Sequence, residues 1–221
     1  MDIYRKLLSF FGEQKWWPYD KEYHKKHRTD YRFEIMIGAI LTQNTNWKNV
    51  EKALENLKNA CTLEPKRIAK MGSKELQNFL KPSGFFKQKA DRVKNFSKYI
   101  IENYPNLDKF FQRPIFEIRK ELLGIKGIGL ETADSILLYA GKKPIFVVDA
   151  YTKRLCKRFG LNIEKYEDLR KYFEKNLPRS VKIYKEFHAL IVELGKNYCK
   201  KRPFCEKCPL NSICPKLYPE S

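Results

Sequence analysis

The sequence contains no apolar stretch that approaches the roughly 20 residues needed to span a bilayer. Its opening stretch, MDIYRKLLSFFGEQKWW, lacks the uninterrupted apolar core and the small-residue cleavage site of a secretory signal. Low-complexity linkers and repeats of solenoid length are also missing. We therefore expect a soluble, cytoplasmic protein that does not associate with membranes.

Acidic residues are in short supply relative to basic ones. The 221 residues include 26 Asp and Glu against 45 Lys and Arg, a formal charge of +19, and the basic residues are scattered from Arg5 to Lys216. A highly charged surface of the thermophilic kind is one explanation, but an excess of this size favours nucleic acid as the partner. With 43% hydrophobic residues the chain is not disordered, and its length allows one large domain or two small ones.

Strand patterns are scarce, whereas apolar residues recur at helical spacing almost throughout, as at Phe33, Ile37 and Ile40. Only IFVV, just before Asp149, has the pattern of a strand, and it has no obvious partner strands. We expect a buried extended connector there. The sequence predicts an all-α protein of roughly ten helices joined by short loops.

A tight turn between two predicted helices is the first candidate site. In GIKGIGLETA, Gly127 and Gly129 permit backbone geometries and close approaches that a side chain would block. The N–H groups of Gly127, Ile128 and Gly129, and those of the next helical turn, can then face a phosphate. An ordinary helix-helix hairpin turn is the alternative, and the downstream aspartate, Asp149, favours the phosphate-binding interpretation.

Four cysteines near the chain end, with the spacing C-x5-C-x2-C-x5-C, form the second candidate site: Cys199, Cys205, Cys208 and Cys214. Four thiolates packed this closely suit a metal centre. Disulfides are disfavoured in the cytoplasm, whereas zinc remains an alternative because four cysteines also satisfy a tetrahedral site.

Together with LTQNT at 41–45 and the cysteines, the stretches IKGIGLETA and VVDAY resemble the endonuclease III superfamily of DNA glycosylases. The resemblance covers most of the chain and implies a monomer that acts on double-stranded damaged DNA. It implies a helical barrel domain at 28–135, a second domain made of 1–27 and 136–221, and an active cleft between them. It also implies a [4Fe-4S] cluster on the four cysteines in preference to zinc, although the usual first spacing is six residues, not five.

One position departs from the superfamily pattern. Bifunctional members carry a catalytic lysine two residues past the second hairpin glycine, whose amine forms a Schiff base with the sugar, and this chain has Glu131 there. A carboxylate cannot form that imine, and Lys126 precedes the glycine and should point elsewhere. With Asp149 retained to stabilise an oxocarbenium-like sugar or to help activate water, the resemblance implies a monofunctional glycosylase.

Two further stretches, WWP and KPSGFFKQKA, make the chain similar to the 3-methyladenine DNA glycosylase branch. A cationic alkylpurine suits indole faces. The resemblance implies a base pocket lined by Trp16, Trp17, Pro18, Trp47, Glu131 and Lys196. Each tryptophan could instead bury hydrophobic area, and Glu131 could form a surface ion pair.

The superfamily pattern also assigns two residues to the DNA duplex. Gln43 corresponds to the residue that fills the hole left by the extruded nucleotide, and Phe85 to the wedge beside the estranged base. A helix-terminal polar residue and a core aromatic are the respective alternatives. We expect His188 to be structural and His24 to be exposed.

Two other functions stay open at this point. One is the removal of mismatched or oxidised bases, for which Glu131 could assist the leaving group. The other is a DNA-binding protein that has lost its chemistry, against which the presence of Asp149 argues.

Overall fold

The computed structural model describes residues 1–217, and this part of the chain is helical without any β-strand. It contains thirteen α-helices, more than the roughly ten expected from typical lengths, because several span only five to eight residues. The prediction of an all-α fold is confirmed. Among the described helices, none combines the length and the apolar character that a membrane crossing requires.

Residues 17–141 form one compact unit. Its α-helices are α2 (Lys21–His27), α3 (Tyr31–Leu41), α4 (Trp47–Asn59), α5 (Pro65–Lys70), α6 (Ser73–Leu80), α7 (Phe86–Asn103), α8 (Leu107–Phe111), α9 (Ile115–Gly124) and α10 (Leu130–Ser135). A 3-10 turn at Lys81–Ser83 follows α6, and a π-helical segment at Ile136–Ala140 continues α10.

The core of this unit is built around α3. Every residue from 33 to 41 is buried, as expected for a helix that is apolar on nearly all sides. The helix begins after Asp30, whose carboxylate accepts a hydrogen bond from the backbone N–H of Arg32 at 2.9 Å. It packs against α4, α7, α10 and the π-helical segment, so the hairpin rests on a rigid support.

The other unit consists of residues 1–16 and, within the described part of the chain, residues 142–217. Its described helices are α1 (Asp2–Phe11), α11 (Ala150–Arg158), α12 (Tyr166–Asn176) and α13 (Val181–Asn197). Helix α13 packs against both α1 and α11. Phe146 stacks on Phe173 with ring centroids 4.3 Å apart, and both rings contact Phe187 of α13.

The segment that leads to Asp149 has no regular secondary structure, yet residues 145–148 are all buried. Side chains satisfy its backbone: the Phe146 N–H donates to Glu174 at 2.9 Å and the Val148 N–H donates to the Tyr166 hydroxyl at 3.4 Å. Buried N–H groups need such partners. The prediction of a buried extended connector is confirmed.

The boundaries expected from the sequence, at residues 28 and 135, both lie inside the 17–141 unit. The contact-based unit therefore takes in α2 and the π-helical segment, which the predicted barrel domain left out. The assignment of functional domains stays a prediction.

Candidate functional site

The hairpin consists of α9, the turn at residues 125–129 and α10. Gly127 has φ +94°, and a Cβ added to it would stand 2.6 Å from Cγ of Arg92. Both the backbone conformation and the steric overlap therefore disfavour any side chain at this position. Gly129 has φ −93° and ψ 179°, with open space where a Cβ would be. The protein itself therefore requires glycine at 127 and not at 129.

Ile128 anchors the turn. Its side chain is buried, and its N–H donates to the carbonyl of Ile125 at 3.0 Å. A phosphate held by the turn would therefore meet other N–H groups than that of Ile128.

A buried ion pair ties the two hairpin helices together. Arg119 of α9 donates to both carboxylate oxygens of Asp134 of α10, at 2.6 and 3.1 Å. Asp134 is fully buried. Two parallel bonds from one guanidinium fix orientation as well as distance, so the hairpin angle is set from within.

Gln43 contacts the same turn. Its amide nitrogen donates to the carbonyl of Gly127 at 3.0 Å and to the Thr132 hydroxyl at 2.9 Å. Its amide oxygen accepts a hydrogen bond from Arg92. These bonds hold Gln43 against the hairpin, and insertion into DNA would require them to break.

Phe85 is the residue before α7. It is 64% exposed and has φ +44°, a left-handed conformation that aromatic residues rarely adopt. A core role is thus ruled out by the structure, and a large apolar side chain is presented to solvent.

Two of the predicted pocket tryptophans contact each other. The Trp17 ring meets Trp47 edge-on at 5.3 Å and Tyr139 at 5.1 Å, and its indole packs over Gly38. Trp17 is 8% exposed, so its ring packs in the interior of this unit and offers little surface to a ligand. Trp47 is half-buried and lines, with Pro18, a pocket of about 560 Å³.

Trp16 and Lys196, which were also assigned to the base pocket, belong to the unit that contains residues 1–16, and they contact each other. The Lys196 amine stands 5.6 Å from the centre of the Trp16 ring, a cation-π contact. Glu131 belongs to the 17–141 unit and is exposed in the first turn of α10, where a carboxylate also suits the helix dipole.

Asp149 caps the N-terminus of α11 and is 8% exposed. Its Oδ1 accepts hydrogen bonds from the backbone N–H of Thr152 at 2.7 Å and from the Thr152 hydroxyl at 2.9 Å. Burial favours the neutral acid, but His188 and the Thr152 donors outweigh it, so the pKa of Asp149 lies below its usual value. A carboxylate is thereby kept ionised in a buried place.

The neighbour that sequence reasoning missed is His188. Its Nε2 lies 3.6 Å from Oδ2 of Asp149, although the two residues belong to different helices. His188 lies two turns before Gly195 on α13. A Cβ added to Gly195 would stand 2.2 Å from the Tyr151 ring of α11. The missing side chain lets α11 approach, and the i, i+7 spacing that puts Gly195 and His188 on one face is the sequence signal available.

The prediction that His24 is exposed is wrong. His24 is buried, and its ring nitrogens contact Glu34 at 2.8 Å and Thr29 at 2.7 Å. Glu34 sits on the otherwise apolar α3 and needs a partner there.

The four C-terminal cysteines line one small cavity beside Arg158. Arg158 donates to the Cys199 sulfur at 2.9 Å and to the carbonyl of Lys201 at 3.2 Å. Burial, followed by the other cysteines of the group, raises the pKa of Cys208. Within residues 1–217, no group of three or more His, Cys, Asp and Glu side chains is arranged to hold a metal ion, so the thiols share a cavity without a preformed ion site.

Comparison with known proteins gives consistent matches. A family model described as "HhH-GPD superfamily base excision DNA repair protein" matches residues 37–179. The chain is 46% identical over 216 residues to "Putative DNA repair glycosylase MJ1434" of Methanocaldococcus jannaschii, covering 96% of this chain and 94% of that protein.

Solved structures agree. The structure of H. pylori 3-methyladenine DNA glycosylase (MagIII) bound to 1,N6-ethenoadenine is 33% identical, with a TM-score of 0.72 over 88% of this chain and 96% of that one. A non-covalent endonuclease III-DNA complex has a TM-score of 0.77 at 22% identity, covering 97% of this chain and 93% of that one. The latter match shows a shared fold.

Proposed function

The chain belongs to the HhH-GPD superfamily of base excision DNA repair proteins and is a DNA glycosylase, and from this premise we propose that it removes alkylated purines of the 3-methyladenine type by hydrolysis. The product is an abasic site. The proposal includes the absence of lysine-dependent strand cleavage.

The observation that carries the monofunctional assignment is Glu131. It occupies the hairpin position where bifunctional members have the lysine that attacks the sugar. The nearest lysine of the turn, Lys126, is exposed and precedes the first glycine. A carboxylate at position 131 cannot form an imine with the sugar because it has no amine nitrogen, so the reaction ends when the base is released.

Asp149 supplies the chemistry in this proposal. As the bond to the base lengthens, the sugar gains the positive charge of an oxocarbenium ion. A buried carboxylate stabilises that charge more than a solvated one does. Because Oδ1 is held by Thr152, Oδ2 is the oxygen that faces the sugar or its attacking water.

The similarity to MagIII over most of both chains supports the alkylpurine substrate. A positively charged purine is a good leaving group that needs little acid catalysis, and indole faces attract it. We assign base recognition to Trp16, Trp17, Pro18, Trp47, Glu131 and Lys196, with Trp17 acting from beneath through its contact with Trp47.

DNA is the partner of this family, and the charge of +19 suits it. We assign phosphate contacts to the hairpin backbone at Gly127 and Gly129. Ile128, whose N–H is bonded within the turn, contributes to DNA binding by shaping that turn. Phe85 is the wedge, and its exposure on a left-handed backbone supports this role. Gln43 fills the vacated space once its bonds to the hairpin open. We further propose that the protein acts as a monomer on double-stranded damaged DNA.

For the cysteines we propose a [4Fe-4S] cluster. The donor chemistry fits, because Cys199, Cys205, Cys208 and Cys214 line one cavity and thiolates are the ligands of such clusters. In a four-iron cluster each thiolate binds a different iron, so the sulfurs need not converge on one ion as they would around zinc. The absorption spectrum and iron content of the purified protein test the assignment; stoichiometric zinc would overturn it.

The substrate is tested by incubating methylated duplex DNA with the protein and identifying the released purines by chromatography. We expect 3-methyladenine from the wild type and none from Asp149→Asn. Duplexes with mismatched or oxidised bases run in parallel. Release from those alone would replace the substrate class, and binding without release from any duplex would mean that the protein has no glycosylase chemistry.

A further inference from the structure

The Asp149 carboxylate has two unequal oxygens. Thr152 saturates Oδ1 with two hydrogen bonds, whereas Oδ2 faces His188 across 3.6 Å. That distance is an ion-pair distance and slightly longer than a direct hydrogen bond. His188 comes from α13, and both side chains are almost fully buried.

A buried carboxylate with one bare oxygen should become protonated, because low polarity penalises the charged form. Asp149 instead has a pKa below its usual value, and after burial the effect of His188 is the largest contribution. The other residue that lowers this pKa, Thr152, lies on α11, the helix that Asp149 caps, and it carries no charge. The interaction that keeps the reactive oxygen ionised therefore comes from a second helix.

Other titratable groups near this place have different partners. Burial and Lys142 lower the pKa of Lys185, one turn before His188, to about 8. The hydroxyl of Tyr166 on α12 contacts the Val148 N–H at 3.4 Å. Tyr4 of α1 packs its ring on Phe187. His188 is the group that acts on the carboxylate across the helix interface.

We propose that His188 is a positioning residue for Asp149: its imidazole, whose Nε2 stands 3.6 Å from Oδ2, holds the buried carboxylate ionised and oriented for the sugar. This inference rests on the proposed catalytic role of Asp149.

The packing of α11 on α13 supports the assignment. The close approach at Gly195, where Tyr151 fills the space of a Cβ, fixes the distance between the two helices. Arg154 of α11 also donates to the carbonyl of Cys199 at 2.6 Å, just past the end of α13. The His188-Asp149 distance is therefore determined by the backbone and not by two flexible side chains.

The test compares His188→Leu, which removes the donor, with His188→Gln, which keeps an N–H donor without a charge. The carboxyl titration of Asp149 is followed by carbon-13 NMR and assigned with Asp149→Asn. We expect the titration in His188→Leu to move to higher pH by about one pH unit or more, and His188→Gln to restore most of the wild-type position. His27→Leu, a half-buried histidine on α2, serves as the control and should leave the titration unchanged.

Single-turnover base release from about pH 4, close to the ordinary pKa of an aspartate, up to about pH 8 gives the functional readout. We expect the rate of His188→Leu to fall at the acid end, where its carboxylate becomes protonated, and that of His188→Gln to stay flatter. An unchanged titration in His188→Leu, or a His188→Gln variant that behaves like His188→Leu, would overturn the inference. If NMR shows the coupling but Asp149→Asn still releases the base at the wild-type rate, the proposed function fails and the coupling stands.

Discussion

The two hairpin glycines provide a contrast between folding and DNA binding. Gly127→Ala forces a side chain onto φ +94° and places its Cβ 2.6 Å from Arg92. The backbone conformation costs about 1–2 kcal/mol, and the steric overlap adds about 1–3 kcal/mol, because Arg92 is held by its bond to Gln43. We expect a loss of about 2–5 kcal/mol in the free energy of unfolding.

Gly129→Ala should behave differently. Its backbone is extended and its Cβ would meet nothing within 4 Å, so the free energy of unfolding should change by less than about 0.5 kcal/mol. If the glycine serves the close approach of a phosphate, the added methyl removes one charge-assisted hydrogen bond worth about 1.5–3 kcal/mol. DNA affinity should fall by about tenfold or more.

Urea unfolding and binding to a duplex with an abasic-site analogue measure the two effects separately. Repeating Gly127→Ala in an Arg92→Ala background should remove the steric part and leave only the backbone part. An equal cost of Gly127→Ala in both backgrounds would refute the steric argument. Full DNA affinity in Gly129→Ala would refute the phosphate argument.

Three further predictions concern single side chains. Phe85→Gly should be about 1 kcal/mol more stable than Phe85→Ala, the reverse of the usual helical order, because glycine tolerates φ +44°. Both variants should impair base release equally. If Phe85→Ala proves the more stable variant in urea unfolding, the left-handed backbone is contradicted. Asp134→Asn should lower the free energy of unfolding by about 3 kcal/mol, since Asp134 is buried and the half-buried Arg119 would then face a neutral amide. Glu164→Gln at an exposed pair should cost less than about 1 kcal/mol, and similar losses in the two variants would contradict the argument. Burial and Arg92 lower the pKa of Lys89 to about 8. The unfolded state therefore binds more protons than the folded state between about pH 8 and the ordinary lysine pKa of about 10.4. In urea unfolding, the free energy of unfolding of the wild type relative to Lys89→Met should rise with pH across that window, and a flat or falling difference would count against the argument.

Local patterns in the sequence predict much of the fold. Apolar spacing predicts α3, and the strand-like IFVV run without partners predicts the buried connector. The hairpin follows from its glycines and its flanking apolar residues. These features depend on neighbours within a few residues, which is the range that periodicity reports.

The contacts that complete the site connect distant positions and were not predicted. Gln43 bonds Gly127 across 84 positions, and His188 faces Asp149 from another helix. Neither residue carries a local signal that names its partner. The prediction that His24 is exposed failed because its buried partner, Glu34, lies on a different helix.

The central claim, a glycosylase without lyase chemistry, is tested most directly by strand breakage at a single 3-methyladenine-type lesion before and after hot alkali. The account predicts that the wild-type protein leaves an intact strand that breaks only after alkali, and that borohydride traps no protein-DNA adduct. Nicks before alkali, together with a trapped adduct, would contradict it and would mean that an amine elsewhere in the chain replaces the lysine absent at Glu131.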